Sequence, residues 1–229
     1  NDEDADADLA VFVRWQDKKA YRLARRLKKK GQRIVFDLCV NYFDEAGYFD
    51  GGYGTGKREL EDCSRMADVA DVITCASDFI AERASLHHPR TVCLSDSIDN
   101  NHFWFVKDAE DFRRPQLRAS FSGVVSKVKE LEPILPLLQA RDVPITIITN
   151  RDPNLDASYR FVQWRYETFP LHILASELCL AHRSLDNPYN KGHSLFKIGV
   201  FMAQGVPAIA SRVPAYEQII KSETGGTLY

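Results

Sequence analysis

A chain of 229 residues, 45% hydrophobic and 27% charged, has the make-up of a soluble globular protein of one or two domains with substantial cores. Its formal net charge of −2 gives no electrostatic case for nucleic acid, no apolar run is long enough to span a bilayer, and no signal peptide is visible. Cys39, Cys63, Cys75, Cys93 and Cys179 form no CxxC pair and read as reduced, packed thiols of a cytoplasmic protein, and the histidines show no metal-ligand spacing.

The acidic Asn1–Asp8 reads as a solvated lead-in. Short apolar runs then alternate with longer amphipathic stretches. The first half predicts strands at Leu9–Val13, Ile34–Leu38, Val72–Cys75 and Thr91–Leu94, with helices at Lys18–Lys30, Arg58–Ala70 and Asp78–Ser85 between them. The charged, proline-bearing Asp108–Arg118 reads as a linker. The second half predicts strands at Ala119–Phe121, Ile145–Thr149, Leu178–Ala181 and Val206–Ala210, and helices at Lys127–Arg141, Phe169–Ser176 and His193–Gln204. Gly225–Tyr229 reads as a turn into a further strand, and both ends of the chain look incomplete. Such alternation implies parallel sheets with right-handed crossovers, that is, an α/β chain of two Rossmann-like domains at residues 1–110 and 111–229 facing across a cleft. Several predicted strands end on Asp37, Ser77, Asp96, Ser122, Asn150 or Ser211, and ligands of open α/β sheets gather beyond such carboxyl ends.

Two stretches could hold phosphate. The first, GGYGTGK at 51–57, fits the spacing of a Walker A loop. That loop needs a buried strand before it and a Ser or Thr after its lysine. Here the preceding stretch is no compact apolar strand and Arg58 follows Lys57, so the glycines read as a surface loop. The second is Asn187–Ser211, NPYNKGHSLFKIGVFMAQGVPAIAS. A donor-rich loop enters a helix near His193 and Ser194, where free N–H groups attract anions, and Lys197 follows about one turn on. A capped amphipathic helix with no ligand fits the same residues.

NKGHSLFKIGVFMAQGVPAIASRVPAYEQII resembles the donor-site segment of GT-B glycosyltransferases of the retaining, family-four-like group. IVFDLCVNYFD, ADVITCASDFIAERA and SDSID resemble acceptor-domain segments of that group, and FSGVVSKVKELEPILPLL its first donor-domain loop and helix, all in family order. The resemblance implies transfer of a sugar from a nucleotide-sugar donor to a glycan or lipid-linked acceptor, without metal or other cofactor. It implies that Ser122 and Gly123 approach the diphosphate and that His193, Ser194 and Leu195 lie at its helix amides. Lys197 would neutralise its charge as nucleoside diphosphate leaves, and Val162 and Trp164 would flank the base, unless Trp164 is simply core. Asp37 and Ser77 would face the acceptor.

The chain departs from the family where a Glu-x7-Glu pair is usual: Gly192 and Val200 stand there, and Val200 cannot hydrogen-bond a donor ribose as the second Glu would. Val40 stands where an Asp is expected. A non-catalytic GT-B-like binding or scaffolding module is therefore the alternative to an enzyme, and a P-loop hydrolase using 51–57 is the third reading. The basic stretch 18–30 reads either as a solvated helix face or as a peripheral membrane contact.

Overall fold

The computed structural model describes residues 7–48, 54–108, 110–112, 116–220 and 225–229. The chain divides into two compact units, one formed by residues 1–96 and 185–194, the other by 97–184 and 195–229.

In the first unit, β1 (Leu9–Val13), α1 (Lys18–Lys29), β2 (Arg33–Leu38), the short β3 (Gly47–Tyr48) and β4 (Gly54–Thr55), α2 (Lys57–Val69), β5 (Val72–Cys75), α3 (Asp78–Ser85) and β6 (Thr91–Cys93) follow one another. The main sheet is parallel in the order β1-β2-β5-β6. Because this order runs in one direction, right-handed crossovers bring α1, α2 and α3 to the same face. There Phe12, Ile34, Phe36 and Ile73 pack with Ala20, Ala24, Leu27, Met66 and Ile80. The opposite side chains Leu9, Val11, Val13 and Val92 stay exposed. In α1 the buried Ala20, Ala24 and Leu27 recur at helical spacing, and Asp17 caps the helix by accepting from Lys19 N and Ala20 N, both at 2.9 Å.

The second unit contains β7 (Ala119–Ser122), a 3-10 segment (Val125–Leu131), α4 (Leu135–Gln139), β8 (Ile145–Thr149), β9 (Arg160–Gln163), α5 (Phe169–Leu174), β10 (Leu178–Ala181), α6 (Pro188–Lys191), α7 (Phe196–Ala203), β11 (Ala208–Ala210), α8 (Pro214–Ile219) and β12 (Gly226–Leu228), with α6 belonging to the first unit. Its parallel sheet has the order β12-β11-β10-β7-β8-β9, which reverses between β7 and β10 as in a doubly wound dinucleotide-binding fold. Helices then cover both faces, and β7 is buried along its whole length.

Three expectations are corrected here. The single helix predicted over Lys127–Arg141 is a 3-10 segment and a short α-helix, because Pro133 and Pro136 cannot donate to a continuous ladder. The division of the chain falls at 96/97 rather than 110/111, because residues 97–108 pack on the second unit. There Lys107 donates from its backbone N to Gln204 O at 3.0 Å and from Nζ to Ser176 O at 2.7 Å. Residues 185–194 return to the first unit, where Asn187 Nδ2 donates to Ala46 O at 3.3 Å and Asn41 Nδ2 to Pro188 O at 3.4 Å.

Of the Walker-like stretch, residues 51–53 lie outside the described residues. Gly54–Thr55 pairs antiparallel with Gly47–Tyr48, not within the parallel sheet. A helix does start at Lys57, but the Glu59 carboxylate accepts from Gly56 N at 3.1 Å, placing the chain's own anion at the helix N-terminus.

Candidate functional site

The sheet order reverses between β7 and β10, and sheets of this order take ligands beyond the carboxyl ends at such a reversal. On one side β7 ends on the buried Ser122, and the chain turns at Gly123, whose N donates to Ile148 O at 3.1 Å. Asn150, at the end of β8, holds the next turn: its Oδ1 accepts from Val125 N at 2.9 Å, and its carbonyl accepts from Gln163 Nε2 at 3.1 Å.

Lys197 comes to the same place from the first turn of α7. Its Nζ lies 4.1 Å from the centre of the Phe121 ring, and a Cβ on Gly123 would lie 3.2 Å from that Nζ. Glycine at 123 is thus what lets the amine approach the backbone. The residue as a whole is half-buried, but Nζ is out of solvent and has no hydrogen-bond partner among the described residues. Burial, then the positive charge of Arg183, holds the amine well below the ordinary lysine range. α7 begins at Phe196, with Leu195 as an N-cap that offers no side-chain acceptor. Among the described residues no side-chain cap serves the amides of its first turn.

The expected helix start at His193 is corrected. Gly192 closes the short α6, which Asn187 caps by accepting from Tyr189 N at 2.8 Å, and His193 and Ser194 lie between two separate helices. The His193 ring packs edge-on to Tyr189 at 5.2 Å. Val200 is 1% exposed, on the buried side of α7, and offers no polar atom.

Val162 and Trp164 mark the end of β9, two strands from β7. Trp164 donates from its backbone N to Thr149 O at 2.8 Å and touches Phe169 at a 6.1 Å ring separation, yet it remains 43% exposed. Its indole is not a core side chain.

In the first unit, Asp37 and Ser77 sit at the ends of β2 and β5. Asp37 Oδ1 accepts from Thr74 Oγ1 at 2.5 Å. Ser77 is buried and caps α3, its Oγ accepting from Ile80 N at 3.4 Å. The structure thus brings Ser122, Gly123, Leu195 and Lys197 into the second unit, with Val162 and Trp164 further along the same sheet end. Asp37, Ser77, His193 and Ser194 belong to the first unit.

Sequence reasoning missed Lys127, Glu130 and Arg183, which stand around Lys197. The first two fall inside the helix expected at Lys127–Arg141. Arg183 follows a strand carboxyl end, the position rule that flagged Ser122 and Asn150.

No family model matches the sequence, and no curated protein matches it. Solved structures do match in fold. A variant of S. aureus TarM in complex with fondaparinux, α-GlcNAc-glycerol and UDP aligns at 12% identity and TM-score 0.66, over 95% of this chain and 44% of its own. The lipopolysaccharide outer core galactosyltransferase WaaB aligns at 13% identity and TM-score 0.56, over 99% of this chain and 63% of its own. An α-glucosyltransferase in complex with UDP-glucose and DNA containing an abasic site aligns at 12% identity and TM-score 0.57, over 96% of this chain and 64% of its own. The chain has the GT-B glycosyltransferase fold, with two Rossmann-like domains, and spans less than two thirds of the length of these proteins. Among the described residues no helix is long and apolar enough to cross a membrane.

Proposed function

We propose that the protein is a glycosyltransferase that takes a sugar from a nucleotide-sugar donor, with the donor diphosphate at the strand reversal between β7 and β10. The observation that carries this reading is the Lys197 amine, withdrawn from solvent against Gly123 and lacking a hydrogen-bond acceptor among the described residues. An amine held so needs an anion, and the uncapped first turn of α7 offers N–H groups to one. The UDP and UDP-glucose complexes among proteins of the same fold support a nucleotide sugar as that anion.

In the reaction, the bond between the anomeric carbon and the donor's β-phosphate oxygen breaks, and the acceptor hydroxyl forms the new bond to that carbon and gives its proton to the departing phosphate oxygen. The nucleoside diphosphate leaves with the electron pair. Lys197 and the α7 amides stabilise the charge it gains, which is electrostatic stabilisation of the leaving group. The family resemblance favours retention at the anomeric carbon and a glycan or lipid-linked acceptor, with Asp37 and Ser77 toward the acceptor. Trp164 provides an exposed face for the base. Gly192 and Val200 stand in place of the usual carboxylate pair, and Val200 removes the one expected at the ribose, while Ser122, Gly123, Leu195 and Lys197 are the residues for the diphosphate. The exposed basic face of α1 suits a weak peripheral contact with an anionic membrane, and a cytoplasmic location fits the reduced cysteines.

Melting temperature measured with nucleosides, nucleoside diphosphates and nucleotide sugars tests the reading, since a ligand of the folded state raises it. At least one nucleoside diphosphate should stabilise the protein. Lys197→Ala should weaken that binding by about 1.5–3 kcal/mol, and Lys191→Ala by less. Equal binding by wild type and Lys197→Ala would remove the donor site from α7.

A further inference from the structure

Arg14 follows the last residue of β1, at the carboxyl end of the first sheet, where open α/β sheets take ligands. Its backbone lies in the left-handed region, at φ 53°. Among the described residues only Asp142 and Asn154 share that conformation without being glycine, and their short polar side chains tolerate it. Arginine has no such local compensation, so the strain is held by the surroundings. Arg14 N donates to Asp37 O, in β2, at 2.9 Å.

The guanidinium reaches Tyr42, in the loop after β2, and Arg14 Nη2 donates to the phenol oxygen at 3.3 Å. Arginine can only donate, so the phenol accepts and keeps its own proton for another partner. Among the described residues no group accepts that proton, and no carboxylate lies within ion-pair distance of the guanidinium. Tyr42 is half-buried, and its ring stands edge-on to Tyr189 with centres 6.3 Å apart, which fixes the phenol. Burial pushes the Cys39 thiol up and the Arg14 charge pulls against it, so the cation stands close over the end of β2. Asp96 and Asp37 also bear on that thiol, but neither pairs with Arg14. Arg14, Asp37, Cys39, Tyr42 and Tyr189 all belong to the first unit.

We propose that Arg14 and Tyr42 form an anion-recognition site, and that the acceptor substrate carries a phosphate or carboxylate group bound there. The remaining N–H groups of the guanidinium take oxygens of that group, and the Tyr42 proton goes to one of them, so that a charged and a neutral donor meet on one anion. The left-handed backbone at position 14 then has a use: it aims the cation at the sheet end instead of leaving it in solvent. The site selects acidic acceptors over neutral sugars. That the anion belongs to the acceptor rests on the glycosyltransferase reading above; anion binding by Arg14 and Tyr42 does not.

The probes are a glucose phosphate monoester and glucuronate, with glucose as the uncharged control and sodium chloride at matched ionic strength, read by calorimetry and by melting temperature. At least one of the two anions should bind the wild type, and which one binds tells phosphate from carboxylate; glucose should not bind. Arg14→Asn should reduce that affinity at least tenfold and Tyr42→Phe several-fold, while Lys197→Ala leaves it unchanged. Asparagine tolerates the left-handed backbone, so Arg14→Asn should melt at or above the wild-type temperature, which an arginine kept only for the fold would not allow. Where Arg14→Asn melts well below wild type, Tyr42→Phe decides, and unchanged affinity in that variant overturns the site. Binding of neither anion overturns it as well. So does binding that Lys197→Ala abolishes and Arg14→Asn leaves intact, an outcome in which the donor-site reading still stands. Anion binding that needs Arg14 and Tyr42, in a protein that binds no nucleoside diphosphate, upholds the site and removes the glycosyltransferase reading instead.

Discussion

Gly192 lies so close to Asn41 that a Cβ at position 192 would stand 2.4 Å from the Asn41 Cβ and 2.9 Å from its backbone N. The contact joins residues 185–194 to the loop after β2, and the fully buried Asn41 is itself fixed: its Oδ1 accepts from Phe43 N at 3.0 Å and its Nδ2 donates to Asp44 Oδ2 at 2.8 Å. The backbone atom cannot yield as a flexible side chain could. Gly192→Ala should therefore lower unfolding free energy by about 1–3 kcal/mol, and Gly192→Glu by more. Urea denaturation measures it, and a Gly192→Ala protein as stable as wild type would show that the 185–194 segment leaves Asn41 at little cost. Asn41 thus occupies the space that any side chain at position 192 would need.

Lys107 and Glu177 fasten residues 97–108 to the second unit. Their side chains are 3% and 4% exposed and 3.4 Å apart. Lys107 also donates to Ser176 O, and Glu177 Oε2 accepts from Arg118 N at 3.1 Å and Arg118 Nε at 2.9 Å. Lys107→Met strips one cation from a buried carboxylate that keeps Arg118, so a loss of about 2–3 kcal/mol is expected. Burial works against ionised Glu177, but Arg118 and then Lys107 outweigh it and hold the carboxyl below its ordinary value. A carboxylate with a depressed folded-state pKa contributes stability above its unfolded pKa and loses it as pH falls through the folded one. Stability measured from pH 6 downward should therefore fall more steeply in wild type than in Glu177→Gln below about pH 4.5. Parallel curves would mean that the ion pairs add nothing to the folded state.

Lys127 gives the opposite pH signature. Burial is the main cause that pushes its amine down from 10.5 to about 8, against the pull of Glu130. Arg183 from the end of β10 adds to the depression. Below pH 8 both folded and unfolded chains carry the charge, and the folded one bears its full penalty. Between pH 8 and 10.5 the unfolded chain still holds a proton that the folded chain has released, so stability from this group rises with pH. Lys197 shifts in the same sense and remains in a Lys127→Met variant, which isolates the first contribution. The difference in melting temperature between wild type and Lys127→Met should thus change in favour of wild type from pH 7.5 to pH 10. A constant difference would place the Lys127 amine in a solvated setting.

The strands were the most legible part of this chain. Leu9–Val13, Val72–Cys75, Ile145–Thr149 and Leu178–Ala181 appear with the limits their apolar runs predict. β9 was not read as a strand, since Arg160 and Gln163 break its apolar run at an edge position. Helix starts were less legible. The break between α6 and α7 depends on Gly192 meeting Asn41, a contact between residues some 150 positions apart that no local periodicity records. The same limit applies to the site. Lys197 was visible through its motif, whereas Lys127, Glu130 and Arg183 gain meaning only when the strand order β9-β8-β7-β10-β11-β12 sets the end of β10 beside the end of β7.

Trp164 separates the nucleoside part of the proposed donor site from its phosphate part. The indole follows β9, is held by a backbone bond to Thr149 O, and stays 43% exposed with only partial contact to Phe169. Removing it exposes little of the core, so Trp164→Ala should change unfolding free energy by under about 1 kcal/mol, in keeping with substitutions away from buried features. Stacking of a base on an exposed aromatic face is worth about 1–3 kcal/mol, so nucleoside diphosphate affinity should fall by roughly that amount. Pyrophosphate affinity should be unchanged, because the proposed phosphate position is with Lys197 at the end of β7, two strands away. Titrating both ligands into wild type and Trp164→Ala by calorimetry reads the two effects side by side. Loss of pyrophosphate binding together with nucleoside diphosphate binding would mean that the indole supports the fold of the site. Retention of both at wild-type affinity would leave the base bound elsewhere than on the end of β9.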